Sequence, residues 1–284
     1  MTKKKTPQKN ASPKSSSSKN TFESRIQDLM DLDTPTIVTL YGKPGTGKTT
    51  IASTAPKPLL FIDVKDKGMA SAKNPHLKRG DIKVFELEEF DDIYEVYDYI
   101  MENPGKFKSV AIDHFTALQE YALEKVKEEE KKEKISQQMF GFAASYMREV
   151  ITMYKNLTDV NINPIFLCQD RLENGEGDGE DQLTPEVGPA LMPSLSRVLC
   201  SASRVIGHTY LQERVDKTNA GQVKRSIEYR LRLGPNPYYI TKVTRPQGTP
   251  CPSYLVNAQF GDILQIVKGE YQENKPKKSK KLIK

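Results

Sequence analysis

Eight consecutive residues, Gly42-Lys43-Pro44-Gly45-Thr46-Gly47-Lys48-Thr49, place two glycines, a lysine and a threonine at the spacing a phosphate-binding loop requires. At ordinary composition the pattern arises by chance in about one chain in a hundred of this length. Each residue type has a physical task. Glycines turn the backbone tightly and aim several N–H groups into one concavity, and a helix starting near Gly47 adds the positive end of its dipole. Lys48 is expected to reach the β- and γ-phosphates, and the Thr49 hydroxyl to ligate Mg²⁺. Residues 42–49 together with Thr50 form the expected lining for a nucleoside triphosphate, taken as ATP.

Asp113 closes the apolar run Ser109-Val110-Ala111-Ile112. A carboxylate at the end of a strand downstream of a phosphate loop holds Mg²⁺ through water, and the same residue type also caps helices. Hydrolysis further needs a group that positions the attacking water. A Glu directly after Asp113 would point to an AAA+-type ATPase, but His114 stands there. His114 is therefore either a general base or a histidine satisfied at the rim. Asp63 and Asp66, near the end of another apolar run, are the alternatives. Gln169 ends the run Pro164-Ile165-Phe166-Leu167-Cys168 and is a candidate γ-phosphate sensor. Lys242 and Arg245 either supply cations to a phosphate, including that of a neighbouring subunit in a homo-oligomer, or decorate an edge strand.

These residues need a scaffold that lines them up. Thr36–Tyr41, Leu59–Val64, Ile82–Phe85, Ser109–Asp113 and Pro164–Gln169 are short apolar or β-branched runs. Helical stretches separate them: Glu88 to about Met101, and Thr116 to Leu157, the latter containing a charge run at 128–134. Phe22 to Leu32 is a short amphipathic helix by pattern. Alternation of strands and helices predicts an α/β fold with a mostly parallel sheet covered on both faces. Ligands then sit at the carboxyl ends of the strands, which puts the phosphate loop, Asp63, Asp113 and Gln169 on one rim. From Val205 the pattern turns to β, with strands at Val205–Leu211, Ser226–Leu233 and Tyr238–Val243. The last two are expected to form a C-terminal antiparallel hairpin through Gly234-Pro235-Asn236-Pro237.

Charge is unevenly distributed. Residues 1–20 carry +6 and residues 271–284 carry +5, so the rest of a chain whose total is +6 carries −5. Both ends, 1–20 and 271–284, are predicted to be disordered basic tails around a single ATPase domain over 21–270, and basic tails attract nucleic acid in a salt-sensitive way. The Gly/Asp/Glu-rich stretch 173–181 is expected to be a mobile loop. No apolar run approaches a membrane span, and three scattered cysteines with no CxxC fit a reduced, cytoplasmic setting without structural zinc.

The phosphate loop with Thr50, followed by Pro58–Asp63 and Val110–Asp113, resembles the phage P-loop nucleotide-binding proteins, which are RecA-like, core-only ATPases. The similarity covers roughly 35–245. It implies a RecA-like fold, ATP and Mg²⁺ as cofactors, single-stranded DNA as a partner in recombination or strand annealing, association with phage replication or recombination proteins, and a host-cell cytoplasmic location. Gln169 matches the RecA glutamine that senses the γ-phosphate and leads into a DNA-binding loop. One departure stands out. The RecA second strand ends Asp-x-Glu, with Glu orienting the water, whereas this chain has Asp63-Val64-Lys65. Either Asp66 takes over, or hydrolysis is slow and binding does the switching. The acidic stretch 175–181 would repel phosphates, leaving Arg171, Arg197, Arg204 and the tails for DNA. A second reading is an ATP-switched assembly or loader protein acting on a protein partner. A small-molecule kinase fits less well, because the long loop is acidic and poor in arginine.

Overall fold

The computed structural model describes residues 26, 35–65, 69–73, 78–131, 134–173, 186–217 and 223–272. The chain divides into two compact units, Met1–Thr34 and Pro35–Lys284, and of the first only Ile26 is described. The basic end 1–20, the basic end 271–284 from 273 onward, the expected helix at Phe22–Leu32 apart from Ile26, and the acidic loop 173–181 beyond Glu173 therefore lie outside the described residues.

In chain order the second unit runs β1 (Val38–Gly42), α1 (Lys48–Ala52), β2 (Leu59–Val64), β3 (Ile82–Leu87), α2 (Asp92–Glu102), β4 (Ser109–Asp113), α3 (Phe115–Glu129), α4 (Gln137–Asn156) and β5 (Asn163–Cys168). It continues with β6 (Asp170–Glu173), β7 (Glu186–Pro189), α5 (Pro193–Ala202), β8 (Val205–Lys217), β9 (Val223–Arg232), β10 (Lys242–Val243), β11 (Tyr254–Val256) and α6 (Phe260–Lys268). The main sheet has the order β11-β9-β8-β1-β5-β4-β2-β3, with β10 beside β8. Six neighbouring strands, β3 through β8 along that order, are parallel. The β8–β9 pair and the β11 edge are antiparallel. This is an α/β architecture: a mostly parallel sheet flanked by helices with an antiparallel hairpin towards the C-terminus.

The parallel strands read as continuous apolar runs because both faces are covered. On one face Tyr41, Ile62, Ile112 and Phe166 pack with α2, α3, α4 and α5 residues such as Ile93, Leu118, Met147 and Leu195. On the other, Leu40, Phe61, Ala111 and Ile165 pack with Ile51 of α1 and Phe260, Ile263 and Ile266 of α6. The registers Asp63↔Asp113, Asp113↔Leu167 and Tyr41↔Cys168 bring the ends of β2, β4, β5 and β1 level, so the acidic residues and the phosphate loop share one rim.

Two sequence expectations are corrected. The helix expected over Thr116–Leu157 is broken into α3 and α4. Glutamates 128–130 crowd the negative end of the α3 dipole, and Lys131 takes a positive φ of 50°, which a helix cannot continue. The hairpin is not the one joined by Gly234–Pro237. It is β8 with β9, in register from His208↔Arg232 to Lys217↔Val223, and longer at its tip than the alternation suggested. The Gly234–Pro237 turn sends the chain across to other partners: Asn236 Oδ1 accepts from the amides of Tyr238 and Tyr239, Val187 bridges Tyr239, and β10 pairs with β8.

Beneath Asp113, the rings of Phe115 and Phe166 meet edge to face with centroids 5.0 Å apart, and Phe115 is fully buried. Phe115→Ala is expected to lower unfolding free energy by about 3–5 kcal/mol through lost transfer and cavity terms. Urea denaturation measures it, and a loss under 1 kcal/mol would contradict the packing described.

Candidate nucleotide-binding site

The loop between β1 and α1 has the shape that its glycines allow. Gly45 and Gly47 sit at φ 76° and 93°, where residues with side chains are strained, so their amides can turn toward one concavity. Gly42 has a different reason. A Cβ there would lie 2.3 Å from the Thr209 carbonyl oxygen and 2.5 Å from its Oγ1, so only glycine lets β8 approach this closely. The contact is reinforced from the loop side: Thr46 Oγ1 lies 2.7 Å from Thr209 Oγ1 and donates to the Lys43 carbonyl at 2.7 Å. Just before the loop, the Tyr41 hydroxyl sits 3.0 and 2.9 Å from the carbonyls of Val187 and Ile240, tying β1 to β7 and to the segment after Pro237. Burial first, then neighbouring charges, pushes the Tyr41 phenol far above its ordinary value, so it remains a donor.

Lys48 folds back over the loop, its ammonium donating to the carbonyls of Gly42 at 2.8 Å and Lys43 at 3.0 Å, and the side chain is buried. The Thr49 hydroxyl donates to Asp113 Oδ2 at 2.6 Å, which joins α1 to the end of β4. The structure thus brings together Gly42–Thr49 and Asp113 as the sequence predicts. Mg²⁺ favours hard oxygen donors and keeps most of its shell as water and phosphate. A hydroxyl and a carboxylate at this distance fit that donor set. No cluster of three or more His, Cys, Asp or Glu suited to a resident metal occurs among the described residues. The loop opens into a cavity of about 570 Å³ whose other wall is Tyr229, Leu231, Asn257 and Gln259; Thr50 lines it as well.

The other candidates fare differently. His114 is the N-cap of α3: its Nδ1 accepts from the Ala117 amide at 3.1 Å, so the satisfied-rim reading describes that nitrogen. Asp66 lies outside the described residues. Asp63 is buried beside Asp113. Lys65, the departure from the RecA pattern, pairs with Glu120 of α3 at 2.6 Å. The Gln169 amide donates to Thr116 Oγ1 at 3.1 Å and its carbonyl accepts from Ala190, which fixes the turn between β5 and β6. Within the chain, Lys242 donates to the Cys200 and Ser201 carbonyls at the C-terminal end of α5, both at 3.1 Å, and Arg245 donates to the Thr249 carbonyl. Lys242 thus neutralises a helix end. Among the described residues no helix is long and apolar enough to cross a membrane.

Sequence reasoning missed Thr209, Tyr229, Asn257 and His208. The first three touch the loop or its cavity through tertiary contacts; the only local trace is the alternating pattern of β8 and β9.

A family model described as an AAA domain, AAA_24, matches residues 34–228, more than half of the chain. The chain belongs to this AAA domain family. A glutamate after Asp113 is therefore not a requirement for membership, since His114 occupies that place. Among solved structures, a KaiC-like protein from the hyperthermophilic archaeon Pyrococcus horikoshii OT3 is similar, with 16% identity over 69% of this chain and 77% of that chain and a TM-score of 0.38. No curated protein matches the chain. The family assignment and the phosphate loop together make this AAA domain a nucleotide-binding P-loop ATPase domain.

Two measurements check the geometry. Gly42→Ala is expected to weaken binding of a fluorescent ATP analogue at least about tenfold, since strain of this kind costs on the order of 1–3 kcal/mol. Gly45→Ala, whose Cβ would meet nothing within 4 Å, should cost less; equal losses would contradict the Thr209 contact. The second concerns His208, 5% exposed, whose imidazole is pushed down to about 4 by burial first and then by Arg232, Lys48 and Lys43. The unfolded chain takes up a proton near the ordinary value of 6.5, and the folded chain refuses it until about 4. Stability is therefore lost as pH falls through that window, by up to about 3 kcal/mol. His208→Phe should flatten the unfolding free energy between pH 6.5 and 4; an unchanged slope would contradict the assignment.

Proposed function

We propose that this AAA domain is a Mg²⁺-dependent ATPase of phage type that binds single-stranded DNA and supports recombination or strand annealing. The observation that carries the nucleotide part is the Thr49–Asp113 hydrogen bond of 2.6 Å beside Lys48 on the phosphate loop. In this reading the loop amides and Lys48 hold the triphosphate, and Thr49 and Asp113 hold Mg²⁺. The metal supplies charge neutralisation on the β- and γ-phosphates. The base occupies the far part of the cavity, against the Tyr229 ring and the segment at Asn257. Gln169, in the turn after β5, senses the γ-phosphate, and the segment that follows it moves. Water is positioned by Asp66 or by His114, the latter through Nε2 because Nδ1 accepts from Ala117.

Support for the DNA part comes from the resemblance to phage P-loop proteins and from the +6 and +5 charge of the two ends, which attracts phosphates in a salt-dependent way. Lys242 or Arg245 acting on a neighbour's phosphate, and contacts with phage replication or recombination proteins, belong to the same reading. One observation favours an ATP-switched assembly protein instead. The residue at the place of the RecA water-orienting glutamate is a cation, and its partner Glu120 holds it in an ion pair. Slow turnover and switching by binding would follow.

ATP turnover with and without single-stranded DNA, for wild type, Lys48→Ala, Asp66→Ala and His114→Ala, tests the proposal. Lys48→Ala is expected to abolish productive nucleotide binding, and single strands to raise wild-type turnover. Full turnover in both Asp66→Ala and His114→Ala would remove them as the base. Absence of strand binding at low salt, with an ATP-dependent protein complex free of nucleic acid, would replace the DNA reading by the assembly one.

A further inference from the structure

The β8–β9 pair has two faces. Tyr229 and Leu231 lie on the side of the nucleotide cavity. His208, Tyr210 and Arg232 lie on the other, because residues paired in an antiparallel register point the same way. On this second face is a separate cavity of about 640 Å³. Its base is an aromatic cluster. The Tyr239 ring stacks on His208 with centroids 4.4 Å apart, Tyr210 lies parallel to His208 at 5.7 Å, and the Arg232 guanidinium is 4.8 and 4.4 Å from the Tyr210 and Tyr239 centroids. One wall is Lys43 and Pro44 of the phosphate loop; the opposite wall is Asp170 and Leu172 of β6.

Within this cavity a buried polar atom needs explaining. His208 Nδ1 has no hydrogen-bond partner among the described residues, and neither has Arg232 Nε. Buried nitrogens left in that condition are costly unless something else meets them. The imidazole is neutral at physiological pH; Nδ1 itself is covered, and the ring lines the cavity as an uncharged polar group. Tyr210 and Tyr239 are half-buried and present ring surface, Leu172 is exposed at the mouth, and Lys43 adds a cation on the loop side. Flat ring, polar edge and adjoining anion are the three features of one ligand class.

We propose that this cavity binds an unpaired nucleobase, packed against Tyr210 and Tyr239, with its polar edge toward His208 and its phosphate toward Lys43. Aromatic platforms beside a cation are how proteins hold unpaired bases without reading sequence. The inference rests on the DNA reading above as to where the base comes from; a free nucleotide carries the same chemistry. It also gives that reading a location. The pocket shares Lys43 and Thr46 with the phosphate loop, so a base here and a triphosphate on the other face act on the same backbone. Each ligand then changes the affinity of the other by the same factor.

The test uses the full chain with Mg²⁺ and a non-hydrolysable ATP analogue. A fluorescein-labelled dT20 is compared with a strand of equal length made of abasic sites. Wild type should bind dT20 at least about tenfold more tightly, as expected where stacking carries the affinity. Tyr239→Leu and Tyr210→Leu should remove most of that advantage, Tyr239→Phe should retain it, and binding of a fluorescent ATP analogue should stay within twofold throughout. The chain has no tryptophan, so Tyr210→Trp supplies a single reporter that dT20 should quench. Equal affinity for dT20 and the abasic strand, or Leu variants that bind dT20 like wild type, overturns the pocket while leaving DNA binding standing. Loss of ATP-analogue binding in a Leu variant marks misfolding, and the abasic comparison on wild type then decides. If wild type binds neither strand at low salt, the DNA reading falls. The pocket then depends on dTMP, which must quench the Tyr210→Trp reporter to sustain it.

Discussion

The close approach of Gly42 to Thr209 is the constraint on which the site depends. A strand end and a neighbouring strand come within a distance that leaves no room for a side chain, and the Thr46–Thr209 hydroxyl contact holds the loop in the shape that approach creates. The glycine pattern supplies the freedom, and β8 supplies the form. The loop's curvature therefore belongs to the sheet as much as to the motif. Tyr41 extends the same constraint outward by anchoring β1 to β7 and to the segment at Ile240.

From that anchor the functional side chains follow by register. Parallel pairing sets Asp113 level with Asp63 and with the residues ending β5. The short α1 then presents Thr49 to the Asp113 carboxylate. Several other polar and charged groups are engaged within the chain. Lys65 is paired with Glu120, Lys242 caps α5, and His114 caps α3. Lys48, Thr49 and Asp113 meet because their spacing after strands fixes where they stand, whereas a charge or an acid–base type alone fixes no position.

The parallel strands were legible because burial on both faces turns them into uninterrupted apolar runs, and the phosphate loop because its spacing has few other uses. The hairpin was misplaced. Much of β8 and β9 is exposed, with polar and apolar residues alternating through Ile227, Glu228, Tyr229, Arg230 and Leu231, so the period shows a strand but not its partner. The turn residues Gly234–Pro237 signalled a reversal correctly and the wrong pairing. The break at 130–136 was hidden inside a stretch of strong helix formers. Thr209, Tyr229, Asn257 and Tyr239 carried no mark beyond the strand pattern, because each matters through a residue distant in sequence.

That distance bears on how the protein is made. Thr46 and Thr209 are separated by 163 positions, and Thr54, just after α1, accepts from the Phe260 amide across 206. On a ribosome adding about 5–20 residues per second, the nucleotide loop waits on the order of ten to thirty seconds for the strand that moulds it. During that interval β1 lacks its β8 neighbour and the face later covered by α6 is bare. A nascent chain of this topology spends its early life with the ATP motif synthesised but unshaped, and nucleotide can assist only the last steps of its maturation.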